Sequence, residues 1–270
     1  MSSVAAPLPR TAARRASVPW FGGVAAIAAF LGLWEVLPRA GVVDRTWLVP
    51  FSEVMSAWWD LLTTGVLADH IRASMQRALA GFAIAVAISI PLGLLIGWYA
   101  SVARTLNPLL EIFRNTAPLA LLPVFVLILG IGETSKVAMV VYGCSWPILL
   151  NTVTAVREVD PLLVRSARSM GLGSVELFRK VVLPASVPTI FTGIRLAGQA
   201  AMLVLIAAEM VGANAGLGFL INSSQYNFAI PEMYAGIVTI AALGVAVNYA
   251  LLFLERRFSR WRPSRPGMDT

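Results

Sequence analysis

Residues 78–103 read ALAGFAIAVAISIPLGLLIGWYASVA and contain no charged side chain between Arg77 and Arg104. An α-helix needs about 20 mainly apolar residues to cross the hydrocarbon core of a bilayer. The stretch is therefore long enough to span a membrane, and it sets the class of protein to which the rest of the chain must belong.

The whole chain has the composition of a membrane protein. Of its 270 residues, 58% are hydrophobic and 13% are charged, and its mean hydropathy is +0.77. Soluble domains carry about 25% charged residues, and the composition also excludes intrinsic disorder. One cysteine (Cys144) and one histidine (His70) exclude an internal disulfide and zinc sites built from several Cys or His. We expect no catalytic residue, metal or cofactor.

Other weakly charged runs predict an all-α, polytopic protein with about six membrane-spanning helices. These lie at about residues 20–37, 78–100, 116–131, 136–155, 186–211 and 233–254. Residues 210–231 are also uncharged, but they are rich in Gly, Asn and Ser, and we expect a loop that packs on protein and is partly re-entrant. The predicted organisation is a tail at 1–19, a transmembrane domain at 20–255 and a tail at 256–270.

The distribution of basic residues predicts the orientation in the membrane. With the N-terminus in the cytoplasm, 15 Lys and Arg residues fall in cytoplasmic segments and 5 in outer segments, while Arg195 lies within a span. Cytoplasmic loops are enriched in Lys and Arg, so both termini are expected in the cytoplasm. The net charge of +7 then reflects topology, and nucleic-acid binding is not expected. The first apolar stretch is long for a signal peptide, and we expect it to be retained as a span.

The segment between the first two spans contains a short amphipathic pattern. Ser52 is a predicted N-cap, and Met55, Trp58, Trp59 and Leu62 recur at helical spacing. The tryptophans suit a membrane interface, and the alternative is a docking face for a partner.

The long cytoplasmic segment at 156–185 reads VREVDPLLVRSARSMGLGSVELFRKVVLPA. Asp160 followed by Pro161 is typical of a helix start, and Gly171 of a helix end. A second helix is predicted over 174–182, ending at Leu183 and Pro184. Two short amphipathic helices of this kind suit docking into a groove on another protein, although a segment that folds back on the membrane is the alternative.

This segment resembles the cytoplasmic motif of the importer permeases of ATP-binding-cassette systems. That motif reads Glu-Ala-Ala, three residues, Gly, nine residues, then Ile-x-Leu-Pro, and the spacing here matches at every position. Arg165 replaces the usual Glu and reverses its charge, and Ser166 replaces Ala. In the family this loop docks into a cleft of the ATPase subunit. The resemblance therefore implies an ATPase-coupling role for Asp160, Arg165, Ser166, Ala167, Gly171, Leu183 and Pro184.

Further stretches resemble the nitrate/sulfonate/taurine branch of these permeases. They lie at 107–109, 114–120, 122–123, 130–136, 147–152, 159–161, 207–210 and 216–218, and the resemblance covers about residues 70–255. It implies a type I importer permease-like fold and a substrate such as a sulfonate, taurine or nitrate. It also implies several partners: ATPase subunits with the P-loop that this chain lacks, a second permease copy in a homodimer, a periplasmic or lipid-anchored substrate-binding protein, and membrane lipid.

Polar groups within the predicted spans are candidates for the translocation pathway. Glu209, near the outer end of the fifth span, is placed to cap or gate the pathway beside the Gly-rich loop, or to make a structural hydrogen bond. For the other candidates the alternative role is helix packing. The full set is Asn115, Pro118, Trp146, Asn151, Gln199 and Glu209.

Other functions remain as alternatives. The same class of importer could carry a pyrimidine or aromatic precursor. A secondary transporter driven by an ion gradient would often show paired repeats or an acid relay, and neither is evident. A membrane enzyme would need clustered Asp and His or a nucleophile with its base, and the sequence offers neither.

Overall fold

The computed structural model describes residues 20–258, so the tails predicted at 1–19 and 256–270 lie outside it except for residues 256–258. Every regular element in that part is helical. The helices are α1 Trp20–Arg39, α2 Phe51–Thr63, α3 Val66–Trp98, α4 Ala100–Arg114, α5 Leu122–Leu129, α6 Glu133–Arg157, α7 Pro161–Ser169, α8 Ser174–Leu177, α9 Leu183–Glu209, α10 Leu217–Tyr226 and α11 Ile230–Phe258. A 3₁₀ turn, Pro118–Leu121, precedes α5, and a π-helical turn, Phe178–Val182, joins α8 to α9.

The described residues divide into two compact units, 20–53 and 54–258. In the first unit, the Trp34 indole donates to the carbonyl of Val49 at 3.1 Å. The Glu35 carboxylate accepts hydrogen bonds from the backbone N–H and the hydroxyl of Ser52, both at 2.9 Å. Ser52 already lies inside α2, so its prediction as an N-cap was wrong. A carboxylate 17 residues upstream takes the role that a local cap would have had.

Three long helices, α3, α6 and α9, form the centre of the second unit. Buried side chains from all three make one hydrophobic cluster: Ala78, Ala85, Val140, Cys144, Ile148, Ala197, Ala201 and Leu205. Glycines bring the helices close together. A Cβ at Gly81, Gly93 or Gly97 of α3 would lie 2.7 Å from the Cβ of a side chain on α6. Small residues at such interfaces are typical of helices packed within membranes.

Five helices of the described part are long and apolar enough to cross a membrane, and a bent pair raises the number to six. The bent pair consists of Ala100–Arg114 and Pro118–Leu129, which meet at 85°. The single span predicted at 116–131 was therefore wrong in form. Pro118 and Pro123 have no N–H for a helical hydrogen bond, and they divide this stretch into the 3₁₀ turn and the eight-residue α5.

Two further boundaries differ from the sequence prediction. α3 begins at Val66 rather than near residue 78, and it runs for 33 residues. Residues 217–226, predicted as part of a loop, form α10, which packs against α9 and α11. The helix is stabilised in this Gly- and Asn-rich stretch because side chains of α3 and α9 accept hydrogen bonds from the N–H groups of its first turn. The predicted interface residue Trp58 is half-buried and donates its indole N–H to the hydroxyl of Thr239 in α11 at 3.0 Å.

The helix predicted to stop at Leu183 and Pro184 does not stop there. Ser174–Glu209 is one continuous helix of 36 residues. A proline ring clashes with the carbonyl four residues before it and cannot donate to that carbonyl. The π turn directly before α9 widens the backbone at this point, and the helix continues through the proline.

Candidate functional site

The start of α7 is fixed by local chemistry. Asp160 is the N-cap, and its carboxylate accepts a hydrogen bond from the backbone N–H of Leu162 at 2.8 Å. Pro161 occupies the first helical position, where its missing N–H costs no hydrogen bond. The predicted helix start at Asp160 and Pro161 is confirmed.

The end of α7 is a reversal that needs glycine. Gly171 has a φ of +84°, which is the left-handed region that glycine tolerates best. The N–H of Leu172 donates to the carbonyl of Ala167 at 3.3 Å, and the N–H of Gly171 donates to the carbonyl of Arg168 at 3.0 Å. These two bonds form a Schellman motif. The predicted helix end at Gly171 is confirmed, and the turn fixes the direction in which the chain leaves α7.

α7 exposes apolar side chains. Leu162 is 68% exposed, Leu163 is 50% exposed and Met170 is 72% exposed. Ala167, one of the predicted coupling residues, is instead buried against the protein at 2% exposure. Arg165 and Ser166 are exposed, and Leu183 and Pro184 are half-buried at the start of α9. The segment therefore presents an apolar patch bordered by positive charge.

The six pathway candidates have different surroundings. Trp146 stacks on Phe113 with ring centroids 6.3 Å apart and meets the edge of Tyr142 at 5.6 Å. Asn115 ends α4 and donates to the carbonyl of Glu111 at 2.7 Å. Pro118 is half-buried at the first position of the 3₁₀ turn.

Asn151 and Gln199 make contacts typical of helix packing. The Asn151 amide donates to the carbonyl of Pro147 at 2.8 Å, and its Cβ lies against Gly193. The amide of Gln199 donates to the Asn248 side chain at 3.4 Å.

Glu209 lies in a polar cluster in which every residue except Glu133 is buried. We call it the Glu209 cluster: Ser74, Arg77, Glu133, Lys136 and Glu209. The Glu209 side chain is 0% exposed. Its carboxylate accepts from Nη1 of Arg77 at 2.7 Å and from the N–H of Gly218 at 3.0 Å, and the Ser74 hydroxyl lies 2.8 and 2.9 Å from its two oxygens. Gly218 is in the first turn of α10, where a negative charge is favourable.

Arg77 connects three parts of the fold. Its Nε and Nη2 bind the two oxygens of Glu133 in α6, with Nη2 donating at 2.6 Å. Its Nη1 also donates to the carbonyl of Ala215 at 2.6 Å. One guanidinium thus joins α3 to α6, to α9 and to the loop before α10.

Lys136 and Gly216 complete the attachment of that loop. The Lys136 ammonium donates to the carbonyls of Gly132 at 2.9 Å and Gly212 at 3.1 Å. Gly216 has a φ of +123° and donates its N–H to Nδ1 of His70 at 3.0 Å. A Cβ at this position would lie 2.4 Å from Cδ of Glu209, so only glycine fits over the carboxylate.

Ser74, Arg77 and Glu133 were not among the site residues predicted from the sequence, and Arg77 and Lys136 were counted there as two of the five charges of outer segments. Both cations are buried in the structure, at 5% and 3% exposure. The available signal was the spacing of His70, Ser74 and Arg77, which places three polar groups on one face of α3. Their partners lie 56 to 146 residues away in sequence, beyond the reach of local pattern.

Comparisons with known proteins agree with this architecture. The chain is 31% identical over 248 residues to the putative aliphatic sulfonates transport permease protein SsuC of Bacillus subtilis (strain 168), and the match covers 92% of this chain and 90% of that protein. It is 30% identical over 246 residues to the taurine transport system permease protein TauC of Escherichia coli (strain K12), with 88% of each covered. It is 30% identical over 243 residues to the nitrate import permease protein NrtB of Leptolyngbya laminosa, with 86% of each covered.

The fold is also that of a solved importer. An inward-facing conformation of the MetNI methionine ABC transporter superposes with a TM-score of 0.64 at 21% identity, over 72% of this chain and 96% of that one. Residues 89–261 match the family described as "Binding-protein-dependent transport system inner membrane component". The chain therefore belongs to that family and is a multi-pass membrane permease subunit of an ABC importer, not an enzyme.

Proposed function

We propose that the chain forms the translocation pathway for a small anion and couples it to ATP hydrolysis through the 156–185 segment. Family membership implies an ATPase subunit and a substrate-binding protein as partners. In this proposal two copies of the chain pair in the membrane, both termini face the cytoplasm, and an external binding protein delivers the substrate.

The observation that carries the coupling proposal is the surface of α7. Leu162, Leu163 and Met170 are at least half exposed, and the capped, glycine-terminated helix holds them in one orientation. Exposed apolar side chains bordered by charge are typical of a partner interface. The formal charge of α7 is +2, from Arg165 and Arg168, which favours an acidic surface on the ATPase.

The names of three relatives support an anionic substrate. They are described as permeases for aliphatic sulfonates, taurine and nitrate. Each of these substrates carries an oxyanion group. We infer that this chain carries a member of the same chemical class.

The proposal is tested by reconstituting the chain in liposomes with its ATPase and binding protein and measuring uptake of labelled sulfonate, taurine and nitrate. Uptake is expected to require ATP and to stop when the ATPase subunit is catalytically inactive. Uptake driven by an ion gradient without ATP would instead identify a secondary transporter.

Two matched glycine variants test the role of the 156–185 segment. Gly171→Val forces a β-branched side chain to a φ of +84°, which such residues resist, and should redirect α7. Gly173→Val is the control, because Gly173 has a φ of −69° and, like Gly171, has open space within 4 Å of the position that a Cβ would take. We expect both variants to reach the membrane and only Gly171→Val to lose ATP-driven uptake. Full uptake by Gly171→Val would rule out coupling through this turn.

A further inference from the structure

The two carboxylates that bind Arg77 differ in exposure. The Glu209 side chain is 0% exposed, whereas that of Glu133 is 68% exposed, although the guanidinium between them is itself 6% exposed. Moving Glu209 away would leave a buried charge without compensation, which is costly. Glu133 can turn into open space and be hydrated, so it is the exchangeable partner of Arg77.

Glu133 also lies on the wall of an open cavity of about 640 Å³. The cavity follows one face of α6 from Glu133 to Ser145, and Phe125 of α5 and Ile84 of α3 contribute to its walls. Between its ends the α6 face is largely apolar, with Val137, Val141 and Tyr142. The cavity thus has a charged end, where Glu133 covers the Nε and Nη2 edge of Arg77, and an apolar body.

We propose that this cavity binds an organic anion whose acidic head replaces Glu133 on Arg77 and whose apolar body lies along α6. The inference rests on the proposed function, which it deepens by naming a site and a substrate class. Arg77 would hold the head group, and Glu133 would occupy the same position when no substrate is present.

Charge and geometry both favour this exchange. The Glu209 cluster contains two formal positive charges and two formal negative charges, so a monovalent anion in place of the Glu133 carboxylate leaves the sum unchanged. A neutral solute would leave Arg77 with one carboxylate fewer. The Nε and Nη2 edge of arginine binds two oxygens of one group side by side, and a sulfonate or carboxylate presents such a pair, as Glu133 does in the structure.

The length of the apolar wall favours an organic anion over an inorganic one. From Glu133 to Ser145 the helix rises by about 18 Å at 1.5 Å per residue. The cavity volume of about 640 Å³ lies within the range of small-molecule sites, about 300–1,000 Å³. Nitrate would contact only the charged end, whereas an alkyl or aryl group would also cover Phe125 and Tyr142.

The test is calorimetric titration of 1-butanesulfonate into the purified full-length chain in lipid nanodiscs, at constant ionic strength. An internal competitor lowers apparent affinity by the fraction of time the site is free. If Glu133 occupies Arg77 more than nine-tenths of the time, Glu133→Gln should lower the Kd by about tenfold or more. Glu111→Gln, which breaks the exposed pair with Arg114, is the control and should leave the Kd unchanged.

A double-variant comparison separates exchange at Arg77 from general loosening of the fold. Lysine keeps the charge of Arg77 but cannot donate the two parallel hydrogen bonds of a bidentate contact. Glu133→Gln should therefore tighten binding in the wild-type background and give no gain in an Arg77→Lys background. Nitrate and 1-butanol are the further probes, and each should bind at least about tenfold more weakly than 1-butanesulfonate, a difference of about 1.4 kcal/mol.

Four results would overturn the inference: an unchanged Kd in Glu133→Gln, an equal gain in the Arg77→Lys background, equal affinity for nitrate, or equal affinity for 1-butanol. The last result would indicate an apolar groove for lipid. Equal affinity for nitrate would overturn the choice of an organic anion. An importer that carries sulfonates with its Kd unaffected by Glu133→Gln would leave the proposed function standing, whereas an importer that carries only neutral solutes would remove the proposed function itself.

Discussion

Arg165 is the residue at which the 156–185 segment departs from the motif that it resembles, because it carries a positive charge where the motif has an acid. It is exposed on α7 and lies near the exposed Leu162 and Leu163, which are 68% and 50% exposed. A charge at the edge of an apolar contact selects partners and affects the rate of association. The reversal therefore bears on which ATPase this permease accepts.

Arg165→Glu is expected to weaken co-purification with the ATPase by about tenfold, which corresponds to about 1.4 kcal/mol. Higher salt should weaken the wild-type complex as well, because exposed charge pairs are screened. Arg72→Glu, at an exposed position of α3, is the control and should leave the complex intact. If Arg165→Glu also leaves it intact, Arg165 is only solvated.

Glu209→Gln is expected to lower both the stability of the folded chain and the rate of transport. The substitution removes a buried partner of Arg77, and breaking a buried ion pair costs about 3–5 kcal/mol. Thermal unfolding of the purified chain should show this loss, while uptake per assembled complex reports on any gating role. An unfolding midpoint equal to that of the wild type would contradict the structural part of the prediction, and normal uptake per complex would contradict the gating part.

Residues whose roles are set by near neighbours were predictable, and those with distant partners were not. The hydrogen bond by which Asp160 caps α7 spans two residues, and the longer of the two hydrogen bonds at the Gly171 turn spans five. Both roles could therefore be predicted from the local sequence. Arg77 contacts groups at positions 133, 209 and 215. No local pattern identifies such partners, and a cation at the edge of an apolar run looks like a loop charge.

Among the helices, α3 and α6 are held together by close backbone approach. Gly81, Gly93 and Gly97 lie at intervals of 12 and 4 residues along α3, and each faces a branched side chain of α6: Val140, Thr152 or Val156. Helices within a membrane gain little from burying apolar surface against each other, so packing and small residues determine their association. The contact depends on the absence of a side chain.

Gly93→Val is expected to destabilise the permease by about 1–3 kcal/mol through overpacking. The added Cβ would lie 2.7 Å from the Cβ of Thr152, and the carbonyl of Leu149 is 3.1 Å away. Gly244→Val in α11 is the matched control, since nothing lies within 4 Å of a Cβ there. Chemical denaturation of both variants in detergent checks the difference, and equal stability would show that the α3 and α6 contact is more adaptable than the structure indicates.

The prolines show why helix existence was easier to predict than helix boundaries. Pro161 starts α7, as predicted. Pro118 and Pro123 divide a predicted span, while Pro184 lies inside a continuous helix. The same residue type starts, divides or is accommodated by a helix, and Pro184 is accommodated by the π turn that directly precedes α9. The presence of a proline in the sequence does not by itself indicate which of these outcomes occurs.

For the whole molecule, the structure changes the charge count behind the predicted orientation without reversing it. Of the five cations assigned to outer segments, Arg77 and Lys136 are buried. Arg39, Arg45 and Arg72 are exposed. Among the described residues, nine exposed Lys and Arg side chains lie in the segments predicted to be cytoplasmic and three in the outer segments. This is the same three-to-one ratio as in the sequence count, and it favours both termini in the cytoplasm.

Two single-cysteine variants test that orientation. In a Cys144→Ser chain, Arg165→Cys should resist an impermeant thiol reagent added to intact cells, whereas Arg45→Cys should react with it. Both positions are exposed in the structure, so the difference reports on the side of the membrane rather than on burial. Reaction at residue 165 from outside would place the 156–185 segment on the wrong side for an ATPase.

The continuous helix Ser174–Glu209 is long enough to connect the 156–185 segment with the Glu209 cluster. Its 36 residues extend about 54 Å at 1.5 Å per residue, well beyond the hydrocarbon thickness of about 30 Å. One end follows Gly173, close to the turn at Gly171, and the other is the carboxylate held by Arg77, Ser74 and Gly218. Because no loop lies between the two ends, we expect a tilt of the helix at the first end to move the second. The π turn at Phe178–Val182 interrupts the regular α-helical hydrogen bonding, so it is the position at which we expect the helix to bend first.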